Sequence, residues 1–211
     1  AEDGDTIELL CDVSLAKQLK INKAITITTD GEADRTIYAE SSAAGSNIIV
    51  VNAPDKNVVL KGASESSQLI LDGDKDNVTL KGAFIRVENA DNQKVTMEYL
   101  TIQNIVSESG WGTAVSAVKP FEAEHCTFIE CGSTNSENLG GAIYTSAGAA
   151  GTKIIDCQFE GCSSNYQGGA IYTKGEITVD DSRFAGCKAE YRGGAIYTTV
   201  ELTITGSQFT G

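Results

Sequence analysis

Apolar and polar residues alternate in short runs along most of the chain. Near the start the runs are residues 5–10 (DTIELL), 17–22 (KQLKIN) and 24–31 (AITITTDG). They continue as 47–52 (NIIVVN), 57–62 (NVVLKG), 68–73 (QLILDG), 77–82 (NVTLKG), 84–88 (FIRVE) and 94–104. A period of two predicts strands, and the Lys-Gly or Asp-Gly that closes several runs predicts turns. Residues 15–20 (LAKQLK) are compatible with a single helical turn, and no longer helix is expected. Many short, similar strands fit either a sandwich of antiparallel sheets or a parallel β-helix.

The last third decides between them. Gly-Gly-Ala-Ile-Tyr-Thr occurs at 140–145, 168–173 and 193–198. Between these copies runs a second phrase: Cys126-Thr-Phe128-Ile-Glu-Cys131, Cys157-Gln-Phe159-Glu-Gly-Cys162 and Ser182-Arg-Phe184-Ala-Gly-Cys187. A fourth copy opens at Ser207-Gln-Phe209, near the end of the sequence. A piece of a longer chain is expected from that position. The phenylalanines are spaced by 31, 25 and 25 residues, and the extra residues of the first interval fall between the phrases. Insertions placed outside an invariant frame are the mark of a solenoid. The expected fold is all-β: a single right-handed parallel β-helix over 1–211, with about 25 residues per coil and three short strands in each. Residues 1–31 are expected to hold an N-terminal cap and the first strands, and 121–211 the regular repeats. Roughly eight coils at ~4.8 Å would make a rod of ~40 Å.

Alternation assigns the faces. Ile177, Val179, Leu202 and Ile204 point inward, and Phe128, Phe159, Phe184 and Phe209 stack as a core column. Parity breaks at Asp180-Asp181 and again between each Phe and the following Cys, which predicts bends there. The Gly-Gly pairs predict another corner, through positive φ or close packing.

Composition then restricts the function. Asp and Glu outnumber Lys and Arg by 29 to 16, a net charge of −13. This argues against nucleic acid or anionic lipid as partner. No apolar run approaches the ~18 residues of a membrane helix, so no membrane insertion by this segment is expected. Six cysteines without CxxC spacing and one histidine argue against a metal site, and no cofactor is expected. Cys131, Cys162 and Cys187 would form one column, and Cys126, Cys157 and Ser182 another. Both are expected to be free thiols used as packing, with redox or metal roles as the alternative.

The Gly-Gly-Ala-Ile copies, with the Phe-x-x-Cys phrase in place of Phe-x-x-Asn, resemble the repeats of the chlamydial polymorphic outer-membrane proteins. Adhesin-like surface proteins of other microbes carry similar repeats, and the fold resembles the pectate-lyase superfold. The resemblance covers 121–211, and 1–120 only as generic coils. It implies a surface-exposed passenger segment, secreted or on the cell surface.

Candidate chemistry follows from the faces. If Ile143, Ile171 and Ile196 point in, Tyr144, Tyr172 and Tyr197 form an outward ladder, with Tyr166 and Tyr191 as a second pair. Stiff amphipathic rings could bind a host glycan or a surface protein. They could equally stabilise the sheet by packing on each other. Trp111 reads as a binding aromatic or a loop anchor. The run Asp72-Gly-Asp74-Lys-Asp76 begins like a calcium loop but lacks its later ligands, leaving an acidic turn. His125, Asp156 and Asp181 share one bend position and are expected at the surface. No catalytic residue is assigned. The expected function is non-catalytic adhesion, display or ligand binding by a monomer. The alternative is a carbohydrate-active enzyme, a polysaccharide lyase or glycoside hydrolase, using acidic residues on a β-helix face.

Overall fold

Each coil of the chain lays its strands directly on those of the coil before it. The structure is a computed structural model and describes residues 1–43, 45–74, 77–88, 94–108 and 110–211. Among the described residues the strands fall into four parallel sheets. Sheet I stacks Thr6–Leu9, Thr26–Thr29, Val58–Lys61, Val95–Glu98, Glu122–Glu124, Thr152–Ile155, Ile177–Asp180 and Leu202–Thr205. Sheet II follows one bend later in every coil, from Val13–Leu15 and Arg35–Ala39 to Gln208–Thr210. Sheet III runs from Leu19–Ile21 to Ile196–Thr198, and sheet IV holds the two-residue strands Val106–Ser107, Gly132–Ser133, Ser163–Ser164 and Lys188–Ala189. This is a parallel β-solenoid of about seven turns, averaging about 28 residues per turn, with the 25-residue period confined to its last coils.

The core is built from columns. Ile27, Leu60, Met97, Ala123, Ile154 and Val179 succeed one another on sheet I, all buried. On sheet II, Phe128, Phe159, Phe184 and Phe209 stack with ring centroids 4.6, 4.6 and 4.7 Å apart and planes within 5° of parallel. This spacing is close to the strand separation itself, so one ring per coil closes the interior without a gap.

Corners are made by single left-handed residues. Tyr99, His125, Asp156, Asp181 and Gly206, with φ between 46 and 57°, turn sheet I into sheet II. Asn104, Glu130, Gly161 and Gly186, with φ between 50 and 61°, turn the chain out of sheet II. Both are the predicted parity breaks. In the Gly-Gly pairs the first glycine is needed both for its left-handed backbone and because a Cβ there would meet the Ile143, Ile171 or Ile196 carbonyl. The first has φ of +76, +68 and +64° at Gly140, Gly168 and Gly193. The second is required for close approach, since a Cβ on Gly141 or Gly169 would collide with the carbonyl of the equivalent glycine in the next coil.

Several sequence expectations need correction. Residues 77–82 make only one isolated bridge, Leu80 to Ser107, instead of a strand. The run 94–104 is two strands in different sheets, split at Tyr99. Val13–Leu15 and Leu19–Ile21 are strands, so 15–20 contains no helical turn; among the described residues a 3-10 turn lies at Ala147–Ala149. The end of the first coil opens on an apolar hollow of about 350 Å³ lined by Ile7, Leu9, Val13, Leu15, Ile27 and Ile37.

All six cysteines are free. The Cys162 thiol donates to the Phe128 carbonyl at 3.5 Å and the Cys157 thiol to the Ile155 carbonyl at 3.2 Å, the weak-donor packing expected of stacked thiols. Burial pushes the Cys157 thiol up, and hydrogen bonding to Cys131 pushes Cys162 up. Hydrogen bonding to Cys162, with burial behind it, raises Cys187. Cys11 is exposed. A thiol-reactive dye on native protein should therefore label Cys11 rapidly, half-buried Cys187 more slowly, and the four buried thiols Cys126, Cys131, Cys157 and Cys162 at least about a hundredfold more slowly than Cys11, through opening of the coils. Mass mapping that finds Cys157 or Cys162 modified as fast as Cys11 would contradict this packing.

Candidate functional site

Sheet III and its flanking corner carry the aromatic residues. Ile143, Ile171 and Ile196 alternate inward on one column. The next position outward carries Tyr144, Tyr172 and Tyr197, whose rings stack at 5.8 and 5.4 Å. One coil before Tyr144, the column holds Ser116, which accepts a hydrogen bond from Arg86 at 2.6 Å. Trp111 fills the space this small residue leaves, its ring centroid 6.0 Å from Tyr144 at an angle of 30°. Isolated bridges set Trp111, Leu139, Gln167 and Arg192 in a second column beside the first. Tyr166 and Tyr191 stand next to that column and stack at 5.0 Å.

The five predicted tyrosines thus belong to two adjacent ladders, and their roles separate by exposure. Tyr144 and Tyr172 are only 8% and 5% exposed, because each ring has a neighbour on both faces. They can offer a ligand ring edges and hydroxyls, but no face to stack on. Burial, with the surrounding tyrosines, raises the Tyr172 phenol above its ordinary range, so it remains a neutral donor at physiological pH. Trp111, Tyr166 and Tyr191 are 54%, 37% and 59% exposed and present apolar surface to solvent. From Trp111 to Tyr197 the strip crosses four coils, ~14 Å at one strand spacing per coil.

Two residues not singled out in the sequence complete the corner. Lys174 places its ammonium 6.0 and 5.9 Å from the Tyr144 and Tyr172 ring centroids. Arg192 lies 5.0 Å above the Tyr191 ring, and its hydrogen bond to Tyr197 raises the guanidinium pKa further. A signal was available: aligning the repeats puts Lys174 against Ser146 and Thr199, and Arg192 against Leu139 and Gln167. Both positions depart from their copies.

The opposite side of the coil gathers polar groups. His125 stacks on Tyr99 at 4.9 Å, and its Nδ1 lies 2.8 Å from the Asp156 carboxylate, one coil further on. Its Nε2 is 3.5 Å from Glu124. His125 and Asp156, with Glu65, Gln68, Cys126, Thr127 and Gln158, border a groove of about 400 Å³. The shared bend position of His125 and Asp156 was legible in the sequence; Glu65, from a loop two coils away, was not. Among the described residues no three His, Cys, Asp or Glu side chains converge as a metal site. At the acidic turn, Asp72 accepts hydrogen bonds from Gln103 at 2.7 Å and from Asn104 at 3.2 Å, so its oxygens already have protein partners. Asp76 lies outside the described residues.

Fold and surface together define a parallel β-solenoid that carries an aromatic corner along its axis. In comparison with known proteins the chain matches no family model, no curated protein and no solved structure.

Proposed function

We propose that this is a non-catalytic binding segment that holds an extended ligand along the aromatic corner, as an adhesion or display module at a cell surface or in a secreted protein. The carrying observation is the line of Trp111, Tyr166 and Tyr191, exposed on a support of buried, mutually stacked tyrosines. Rigid aromatics lose little entropy when covered, so exposed rings fixed by stacking are effective contact surface. Tyr166 and Tyr191 are one coil apart, ~4.8 Å, about the length of one sugar ring in an extended glycan, and Trp111 lies two coils before Tyr166. That favours a linear oligosaccharide over a folded protein epitope. The resemblance to surface-protein repeats supports the location, as does the strongly acidic composition, which keeps such a chain solvated.

A second reading has its own support. The His125–Asp156 pair, with Glu65 across the groove, is the kind of grouping that acid–base chemistry on a polysaccharide needs. One experiment separates the two: binding and reducing-end release are measured on the same oligosaccharide panel. Binding without cleavage is expected, lost by at least about tenfold in the variant Trp111→Ala/Tyr191→Ala, with its melting temperature unchanged. Reducing ends released by the parent and not by His125→Ala would make the groove the functional site.

A further inference from the structure

The two cations at the aromatic corner have no acidic partner. Elsewhere among the described residues Lys23, Arg35, Lys56, Arg86, Lys94 and Lys153 each meet a carboxylate, while Lys17, Lys20, Lys61, Lys81, Arg183 and Lys188 form no ion pair, so what marks the two corner cations is where they sit. Among the described residues Lys174 and Arg192 form no ion pair; both lie over tyrosine rings and both are exposed. In a chain of net charge −13, these are the cations held over the tyrosine rings of the strip, where they are placed to meet a negative group on a ligand lying along it.

We infer that the corner selects anionic oligosaccharides, with sugar rings against Trp111 and the exposed edges of Tyr166 and Tyr191 and carboxylate or sulfate groups on Lys174 and Arg192. This rests on the binding reading above and narrows it to a ligand class. The Arg192 guanidinium, over Tyr191 and hydrogen-bonded to Tyr197, has five N–H donors, and those not used by Tyr197 match a carboxylate or sulfate. Lys174, held above two rings, adds a point charge on the neighbouring ladder. The phenolic hydroxyls of Tyr144 and Tyr172 can donate to ring oxygens or hydroxyls of the sugar. Adventitious polyanion binding is opposed by the molecule's overall charge, so an acidic ligand has to be recognised locally.

The test uses matched pairs: oligogalacturonates with their methyl esters, and sulfated oligosaccharides with their unsulfated forms. Calorimetry at physiological salt is run on the parent chain and on K174Q/R192Q. At least one acidic member should bind about tenfold or more tighter than its neutral twin, and the double variant should erase that ratio at unchanged melting temperature. Equal affinity within every pair overturns the charge selection and leaves the binding reading standing. A preference retained in K174Q/R192Q overturns the assignment to these two residues. No binding to any member, acidic or neutral, overturns both the selection and the reading beneath it.

Discussion

Replacing Phe159 by alanine is expected to destabilise the protein by about 3–5 kcal/mol, among the largest effects of any side-chain truncation in the chain. Phe159 is fully buried and has a parallel ring on each side, Phe128 and Phe184, both 4.6 Å away. Truncation removes both stacking contacts and leaves a ring-sized void. Neighbouring rings cannot collapse into it, because strand hydrogen bonds fix their heights. Phe209, the next ring but one, is 47% exposed and has one stacked partner, so Phe209→Ala should cost far less. Urea unfolding of the two variants checks this. Equal losses would mean that the column does not carry the core. A solenoid transmits stability only between neighbouring coils, so Phe159→Ala should also loosen the coils that hold Tyr144 and Tyr172.

The second large effect comes from a single methyl group. Gly169→Ala places a Cβ against the Gly194 carbonyl and the Lys188 backbone of the next coil. No side chain can move aside, since the obstacles are main-chain atoms held in the parallel ladder. The coils must separate, at an expected cost of about 3 kcal/mol or more, the upper range for overpacking. Gly186→Ala is the control: its φ is +61°, but nothing lies near its Cβ. Only backbone strain remains there, about 1–2 kcal/mol. Thermal melts should rank Gly169→Ala well below Gly186→Ala. The reverse order would show that close approach between coils does not demand glycine at 169.

How much of this was legible depends on the length of each signal. The Phe column, the cysteine columns and the two parity breaks were readable because three copies of one coil fix their heights independently. Residues 94–104 read as one strand because a bulky Tyr99 in the left-handed region carries no sequence signal, whereas glycine at the same corner, as at Gly206, does. The strands of sheet IV are two residues long, too short for alternation to show. Residues 77–82 have the composition of a strand but meet a partner only at Leu80. For the candidate site, alternation gave the side on which Tyr144 and Tyr172 project. It could not give their exposure, which is set by rings one coil above and below and by Trp111 from a loop. Lys174 and Arg192 were hidden for the opposite reason: they are deviations from the repeat, and the repeat drew attention to what stays the same.

The central claim, that ligands lie along the aromatic corner, can be read from one side chain. Trp111 is the only tryptophan and stands at one end of the strip, against Tyr144. Its fluorescence is therefore a direct reporter of that surface. Titration with the tightest-binding oligosaccharide should give a saturable change in Trp111 emission, with the same midpoint as calorimetry on the same sample. Calorimetric binding that leaves Trp111 emission unchanged through saturation would place the ligand elsewhere and contradict the account.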